Sequence, residues 1–100
     1  MSSFEKVCKV VSQIPKGKVS TYKQIARLAN IKNPRLVGFY LHRNIAPKTI
    51  PCHRVVRSDG TLAKAYAFGG KIKQKEILEK EGIRLNKGKI DLEKYLYVIQ

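Results

Sequence analysis

Thr21-Tyr22-Lys23-Gln24-Ile25-Ala26-Arg27-Leu28-Ala29-Asn30-Ile31-Lys32-Asn33-Pro34-Arg35-Leu36-Val37-Gly38-Phe39-Tyr40-Leu41 is the stretch whose reading decides the fold. Thr21 followed three residues later by Gln24 is a capping-box pattern. Ile25, Leu28 and Ala29 then recur at helical spacing. Asn30-Ile31-Lys32 reads as a turn. Asn33 is a good cap and Pro34 suits a first helical position, so a second helix is predicted from Pro34 to about Asn44. Two short helices joined by a tight turn read as a helix-turn-helix, about residues 21–44. Many helix pairs look like this without touching DNA, so the pattern needs support from the rest of the chain.

Upstream, Ser2 and Glu5 form another capping pattern, and Phe4, Val7, Cys8, Val11 and Ile14 share one helical face. That helix ends before Pro15, and Cys8 on its stripe reads as a small buried hydrophobe. Downstream, residues 45–70 hold Pro47, Pro51, Gly60, Gly69 and Gly70 and read as a long loop, with a short strand at Val55-Val56 and a turn at Ser58-Asp59-Gly60. A long irregular segment in a small domain is usually functional. Lys71 to Glu81 reads as a charged helix closed by Gly82. A hairpin is predicted from Ile83-Arg84-Leu85 over Asn86-Lys87-Gly88 to Lys89-Ile90, and the apolar tail Tyr95 to Ile99 adds a strand or packs on the core. The expected fold class is α+β: a mostly helical winged helix-turn-helix domain with a small C-terminal hairpin. Residues 1–100 are expected to form a single domain.

Composition excludes several classes. With 43% hydrophobic and 28% charged residues, the chain is globular rather than disordered. No apolar run approaches the roughly 20 residues that span a bilayer, and Met1 to Lys9 has no signal-peptide core. Two cysteines cannot make a disulfide framework, which points to a reducing compartment, the cytoplasm or a eukaryotic nucleus. Without Cys-x-x-Cys or His-x3-His spacing, no metal site is expected, and no cofactor is called for. The net charge is +14, and no acid occurs between Lys6 and Ser58 while twelve bases do. Such a half attracts a polyanion, and nucleic acid is favoured because surfaces normally mix both signs. A merely soluble basic protein is the alternative, and a polybasic membrane contact fits less well.

The chemistry-bearing motif is Ile50-Pro51-Cys52-His53-Arg54-Val55. A thiolate is a nucleophile, and nearby His or Arg lowers a thiol's pKa. Glu81 is a candidate to orient the His53 ring. Taken alone, a Cys-His dipeptide fits a buried structural cysteine as well as a reactive one.

Pro51-Cys52-His53-Arg54-Val55 resembles the active-site motif of the O6-alkylguanine-DNA alkyltransferases. Ile14 to Tyr22 resembles that family's entry into its helix-turn-helix, and Arg35-Leu36-Val37-Gly38 its recognition helix. Asn44 stands eight residues before the cysteine, Tyr66 with Gly69-Gly70 resembles the substrate loop, and Glu81-Gly82 the closing element. The resemblance spans about residues 3 to 85. It implies an irreversible transfer of the alkyl group from guanine O6 to Cys52. His53 would take the thiol proton through a water, Glu81 would hold the imidazole, and Asn44 would brace the turn. Tyr22 would rotate a phosphate and protonate guanine N3, and Arg35 would fill the gap left by the flipped base. The Cys52 and Val55 carbonyls would read the exocyclic amine, with Tyr66 and Leu41 walling the pocket. Thr21, Tyr22, Lys23, Arg35 and Gly38 would meet the minor groove of double-stranded DNA. A monomer is expected.

The departures are specific. The family's common form has an N-terminal domain that these residues do not contain. Leu36, Phe39 and Tyr40 make the recognition helix bulkier than usual, and Ala63-Lys64-Ala65 replaces a glycine-rich lead into Tyr66. The alternative reading is an alkyltransferase-like damage sensor, which flips bases without transfer; that class replaces the acceptor cysteine. A plain DNA-binding regulator with an unreactive cysteine is the third.

Overall fold

The computed structural model describes residues 2–43, 50–62 and 70–98. Helix α1 (Ser3–Val11) starts on a complete capping box: Ser2 Oγ accepts from the Glu5 N–H at 3.1 Å, and Glu5 Oε1 from the Ser2 N–H at 3.2 Å. Val7, Val10 and Val11 are buried, whereas Cys8, expected inside, is only half-buried.

Strand β1 (Ser20–Thr21), which periodicity does not reveal because it is two residues long, leads straight into α2 (Tyr22–Leu28). Thr21 Oγ1 accepts from the Gln24 N–H at 3.1 Å. The reciprocal half of that cap is missing: Gln24 Nε2 donates instead to the Tyr97 carbonyl at 3.1 Å, tying the C-terminal tail to the helix start. Asn30 at φ 59° turns the chain. Helix α3 (Pro34–Leu41) opens on Asn33, whose Oδ1 accepts from the Arg35 N–H at 3.0 Å. It stops at Leu41, short of the expected Asn44. The Arg43 N–H reaches only Tyr40, 3.1 Å away, so the ladder tightens to i−3 and closes. Asn44 lies outside the described residues. Helices α2 and α3 form the helix-turn-helix.

A 3-10 turn (Cys52–Arg54) runs into β2 (Val55–Val56), which pairs in parallel with β1 in the register Ser20↔Val55 and Thr21↔Val56. Successive strand residues face opposite ways, and the two valines divide the interior. Val55 joins Val7, Val11, Ile14, Ile25, Val37 and Leu41; Val56 joins Val19, Leu62, Leu78, Ile83, Ile90 and Tyr95.

The second cluster is closed by α4 (Gly70–Lys80) and the hairpin β3 (Leu85–Asn86) and β4 (Lys89–Ile90). Its turn is two residues, not the expected three. Asn86 pairs with Lys89, while Lys87 and Gly88 both take positive φ, 54° and 78°, matching the strand twist. Gly60 at φ +88° accepts from the Ile90 N–H at 2.9 Å, and a Cβ there would lie 2.5 Å from the Ile90 carbonyl oxygen, so only glycine fits. A short helix, α5 (Leu92–Tyr95), was not foreseen; Asp91 caps it. Beyond it Leu96 bridges Val19 in parallel, and the Tyr97 N–H donates to the Val19 carbonyl at 2.8 Å. No helix among the described residues is long and apolar enough to cross a membrane.

Candidate active site and nucleic-acid interface

Proline sets up the reactive turn. Pro51 sits at φ −77°, ψ 71°, an inverse γ-turn, and the Cys52 N–H donates to the Ile50 carbonyl at 2.8 Å. The Arg54 N–H then donates to the Pro51 carbonyl at 2.9 Å, and the Val55 N–H to that of Cys52. This winding buries Cys52 and His53, 5% and 7% exposed. Cys52 packs in the first cluster with Leu41 and Val55.

His53 Nε2 lies 3.0 Å from Glu81 Oε2. A carboxylate acceptor requires the ring hydrogen on Nε2, which leaves the basic lone pair on Nδ1. Burial pushes the His53 pKa below its ordinary value, and Arg54 adds to this against the opposing pull of Glu81. Burial works to raise Glu81, but its hydrogen bonds from Arg54 and His53 outweigh this and hold it below the carboxylate range. At neutral pH the arrangement is therefore a neutral imidazole on an ionised carboxylate.

Arg54 departs from its expected use as a cation beside the thiol and toward a polyanion. Its Nε donates to Glu81 Oε1 at 3.0 Å, Nη2 to Glu81 Oε2 at 2.6 Å and Nη1 to the Ile14 carbonyl at 2.8 Å. It is a half-buried clamp. Glu81 is turned inward with it, its side chain only 10% exposed.

A groove of about 1310 Å³ opens on the helix-turn-helix. Lys23, Arg27, Lys32, Arg35, Arg43 and Arg57 line it with Tyr22, Gly38 and Phe39, and no acid is among the described residues that line it. Gly38 on α3 faces Tyr22; a Cβ there would make only ordinary contact with its Cε1, at 3.7 Å. Phe39 is 55% exposed, with the Arg43 guanidinium 5.1 Å from its ring centre. Thr21 is buried at the α2 cap and does not line the groove. Nor does Cys52; Tyr22 is the link, lining the groove while packing on the cluster that holds Cys52. Burial, reinforced by Cys52 and opposed by Arg57, pushes the Tyr22 phenol up to about 12. Asn44 and Tyr66 lie outside the described residues.

One residue escaped the sequence reading. Gln74 on the charged helix α4 is fully buried, and its Nε2 donates to the His53 carbonyl at 2.9 Å and the Val55 carbonyl at 3.1 Å. The available signal was its i, i+4 spacing to buried Leu78 on a helix otherwise crowded with charge.

Residues 2–83 match the family model of the 6-O-methylguanine DNA methyltransferase DNA binding domain, and the chain belongs to this family. DNA repair, DNA binding and methyl transfer are the functions this family and its named members carry. The chain is 48% identical over 80 residues to a methylated-DNA–protein-cysteine methyltransferase of Methanothermobacter thermautotrophicus, covering 80% of this chain. It spans less than half the length of several such relatives, 44% in this case. It is 38% identical to alkyltransferase-like protein 1 of Schizosaccharomyces pombe, covering 94% of this chain and 93% of that one. The solved structure of Schizosaccharomyces pombe Atl1 in complex with damaged DNA containing O6-carboxymethylguanine superposes with a TM-score of 0.83 at 36% identity, over 97% of this chain and 95% of the other.

Proposed function

We propose that this chain repairs O6-alkylguanine in double-stranded DNA by moving the alkyl group onto Cys52. The observation that carries the reading is the buried Cys52-His53 turn with Glu81 3.0 Å from the imidazole. Neutral His53 takes the thiol proton, directly or through a water. The sulfur attacks the alkyl carbon, the carbon–oxygen bond breaks, and a thioether forms. The electron pair goes to guanine O6, and a proton at guanine N3 completes the neutral base. Tyr22 supplies that proton: a phenol near 12 keeps it until charge builds on the departing base. A thioether resists hydrolysis, so each chain reacts once.

The alkyl carbon is out of reach in stacked DNA, so the base is flipped out. The cationic groove supplies sequence-independent phosphate affinity in the minor groove. Arg35 on its wall fills the vacated stack. Leu41 and Val55 wall the pocket beside Cys52, and the Cys52 and Val55 carbonyls read the exocyclic amine. Asn44 and Tyr66 keep the bracing and walling roles that the family resemblance gives them. Residues 1–100 act as one domain and a monomer.

Similarity to a damage-binding relative favours a second reading. The chain matches the Schizosaccharomyces pombe alkyltransferase-like protein almost end to end, which supports a damage sensor that binds without transfer. Intact-protein mass after mixing with an oligonucleotide carrying O6-methylguanine separates the two. A gain of one methylene, mapped to Cys52, supports transfer. Lesion-preferring binding at unchanged mass overturns it in favour of the sensor.

A further inference from the structure

We infer that Gln74 is a positioning residue that aims the Val55 carbonyl at the substrate base, and so helps set selectivity for a base bearing the 2-amino group. This rests on the proposed reading of the Val55 carbonyl as an acceptor for the exocyclic amine. Burying a primary amide costs free energy unless its hydrogens are bonded. Gln74 is fully buried, and both Nε2 hydrogens go to backbone oxygens of the reactive turn, His53 at 2.9 Å and Val55 at 3.1 Å. Two acceptors also settle the amide's orientation, because only the NH₂ end can face them.

The two carbonyls flank Arg54, so one amide grips the turn on either side of the residue that Glu81 holds. The turn is thereby clamped twice from the α4 side, by charge through Arg54 and by a neutral amide through Gln74. The clamps differ in effect. The Arg54–Glu81 pair acts on side chains and on the imidazole. Gln74 acts on backbone direction alone. A carbonyl oxygen carries two lone pairs; with one given to Gln74, the oxygen is fixed in direction and the other is the one assigned to the base's amine. Without Gln74 the His53 and Val55 carbonyls both lose their tether and the amine loses a prealigned acceptor, while the side-chain hydrogen bond between His53 and Glu81 stays in place.

The test compares binding and transfer on duplexes carrying O6-methylguanine or O6-methylhypoxanthine, which lacks the 2-amino group. The unmodified protein should prefer the amine-bearing lesion by about tenfold, the worth of one aligned hydrogen bond. Gln74→Met keeps the bulk and removes both donors; it should lower the preference to about twofold or less. Gln74→Lys keeps donors for the carbonyls and should retain the preference. An unchanged preference in folded Gln74→Met, or equal loss in both variants, overturns the inference. No preference in the unmodified protein overturns the reading of Val55 itself, and this inference with it. If Gln74→Met does not fold, the unmodified protein decides by NMR. The Gln74 side-chain amide resonances should move on binding the amine-bearing lesion and stay put with the other; equal response to both overturns the proposal.

Discussion

Val55 and Val56 are adjacent in the chain yet belong to different cores, and the two halves they separate are built differently. The first, α1 to α3, consists of short helices that carry their own start signals, at Ser2, Thr21 and Asn33. It displays the acid-free groove. The second is assembled from partners distant in sequence: Gly60 with Ile90, Thr61 with Lys89, Val19 with Leu96. Cys52 packs in the first half, and Glu81, which holds His53, follows the last turn of α4 in the second. On the proposed reading, DNA affinity needs one half, whereas the chemistry needs both docked across β1 and β2.

The sharpest way to separate the halves is Cys52→Ser. Transfer should vanish while duplex binding persists, because a hydroxyl is a far poorer nucleophile of nearly equal size; mass spectrometry and a DNA titration read the two. Cys8→Ser should leave transfer intact in folded protein. Equal loss in both variants would sink the assignment.

Glu81→Gln breaks the link between the halves. Arg54 keeps its charge with its carboxylate gone, which should cost about 3 kcal/mol in urea unfolding, toward the low end for a broken buried pair because both groups retain some exposure. Transfer should also slow. The same cluster sets the acid response. His53 and Glu81 both have lowered pKa values in the fold, so the unfolded chain binds more protons between each lowered value and its ordinary one. Stability is full above the ordinary histidine range. It falls first as pH drops through that range, and again below the ordinary carboxylate range. His53→Gln should flatten the upper step, measured as Tm against pH; an unaltered upper step would exclude His53 as its source.

Gly60→Ala tests the second half alone. With φ at +88° and a Cβ 2.5 Å from the Ile90 oxygen, it should cost about 2 kcal/mol, a Tm drop on the order of 10 °C. Affinity for DNA, measured well below that Tm, should not change. A parallel loss of affinity would show that the groove depends on the hairpin.

Arg35→Ala tests the first half. Repair of duplex substrate should fall well below reaction with free O6-alkylguanine base, since the side chain holds the stack and takes no part in displacement. Equal falls would make Arg35 a structural residue. The smallest effect is on salt dependence. Lys23→Gln should shallow the slope of log affinity against log salt by about 0.9, one phosphate's share, and Lys87→Gln on the hairpin turn should leave it unchanged. Equal sensitivity would mean that the binding face extends past the groove.

How much could be read beforehand follows the same division. Ser2 with Glu5 and Asn33 with Pro34 act over three or four residues, and the structure shows those caps. At Thr21 the pattern was half right, because the Tyr97 carbonyl, 73 positions away, captures the Gln24 side chain. The Cys52-His53 motif was visible as a string. Its clamps were not, because Arg54 looked like one more surface cation and Gln74 like one more polar residue on an exposed helix.

The amino-acid order by itself determined the starts of α1 to α3, the positions of the glycine-bearing turns, the one-sided charge and the reactive string. These depend on backbone preferences and neighbours within a turn. Only the tertiary structure decided that Ser20 pairs with Val55, that Arg54 turns inward to Glu81 and that Gln74 holds the carbonyls of His53 and Val55. The physical reason is that buried polar groups must find partners. Which partner is within reach is set by how the chain closes on itself, not by what lies beside it in sequence.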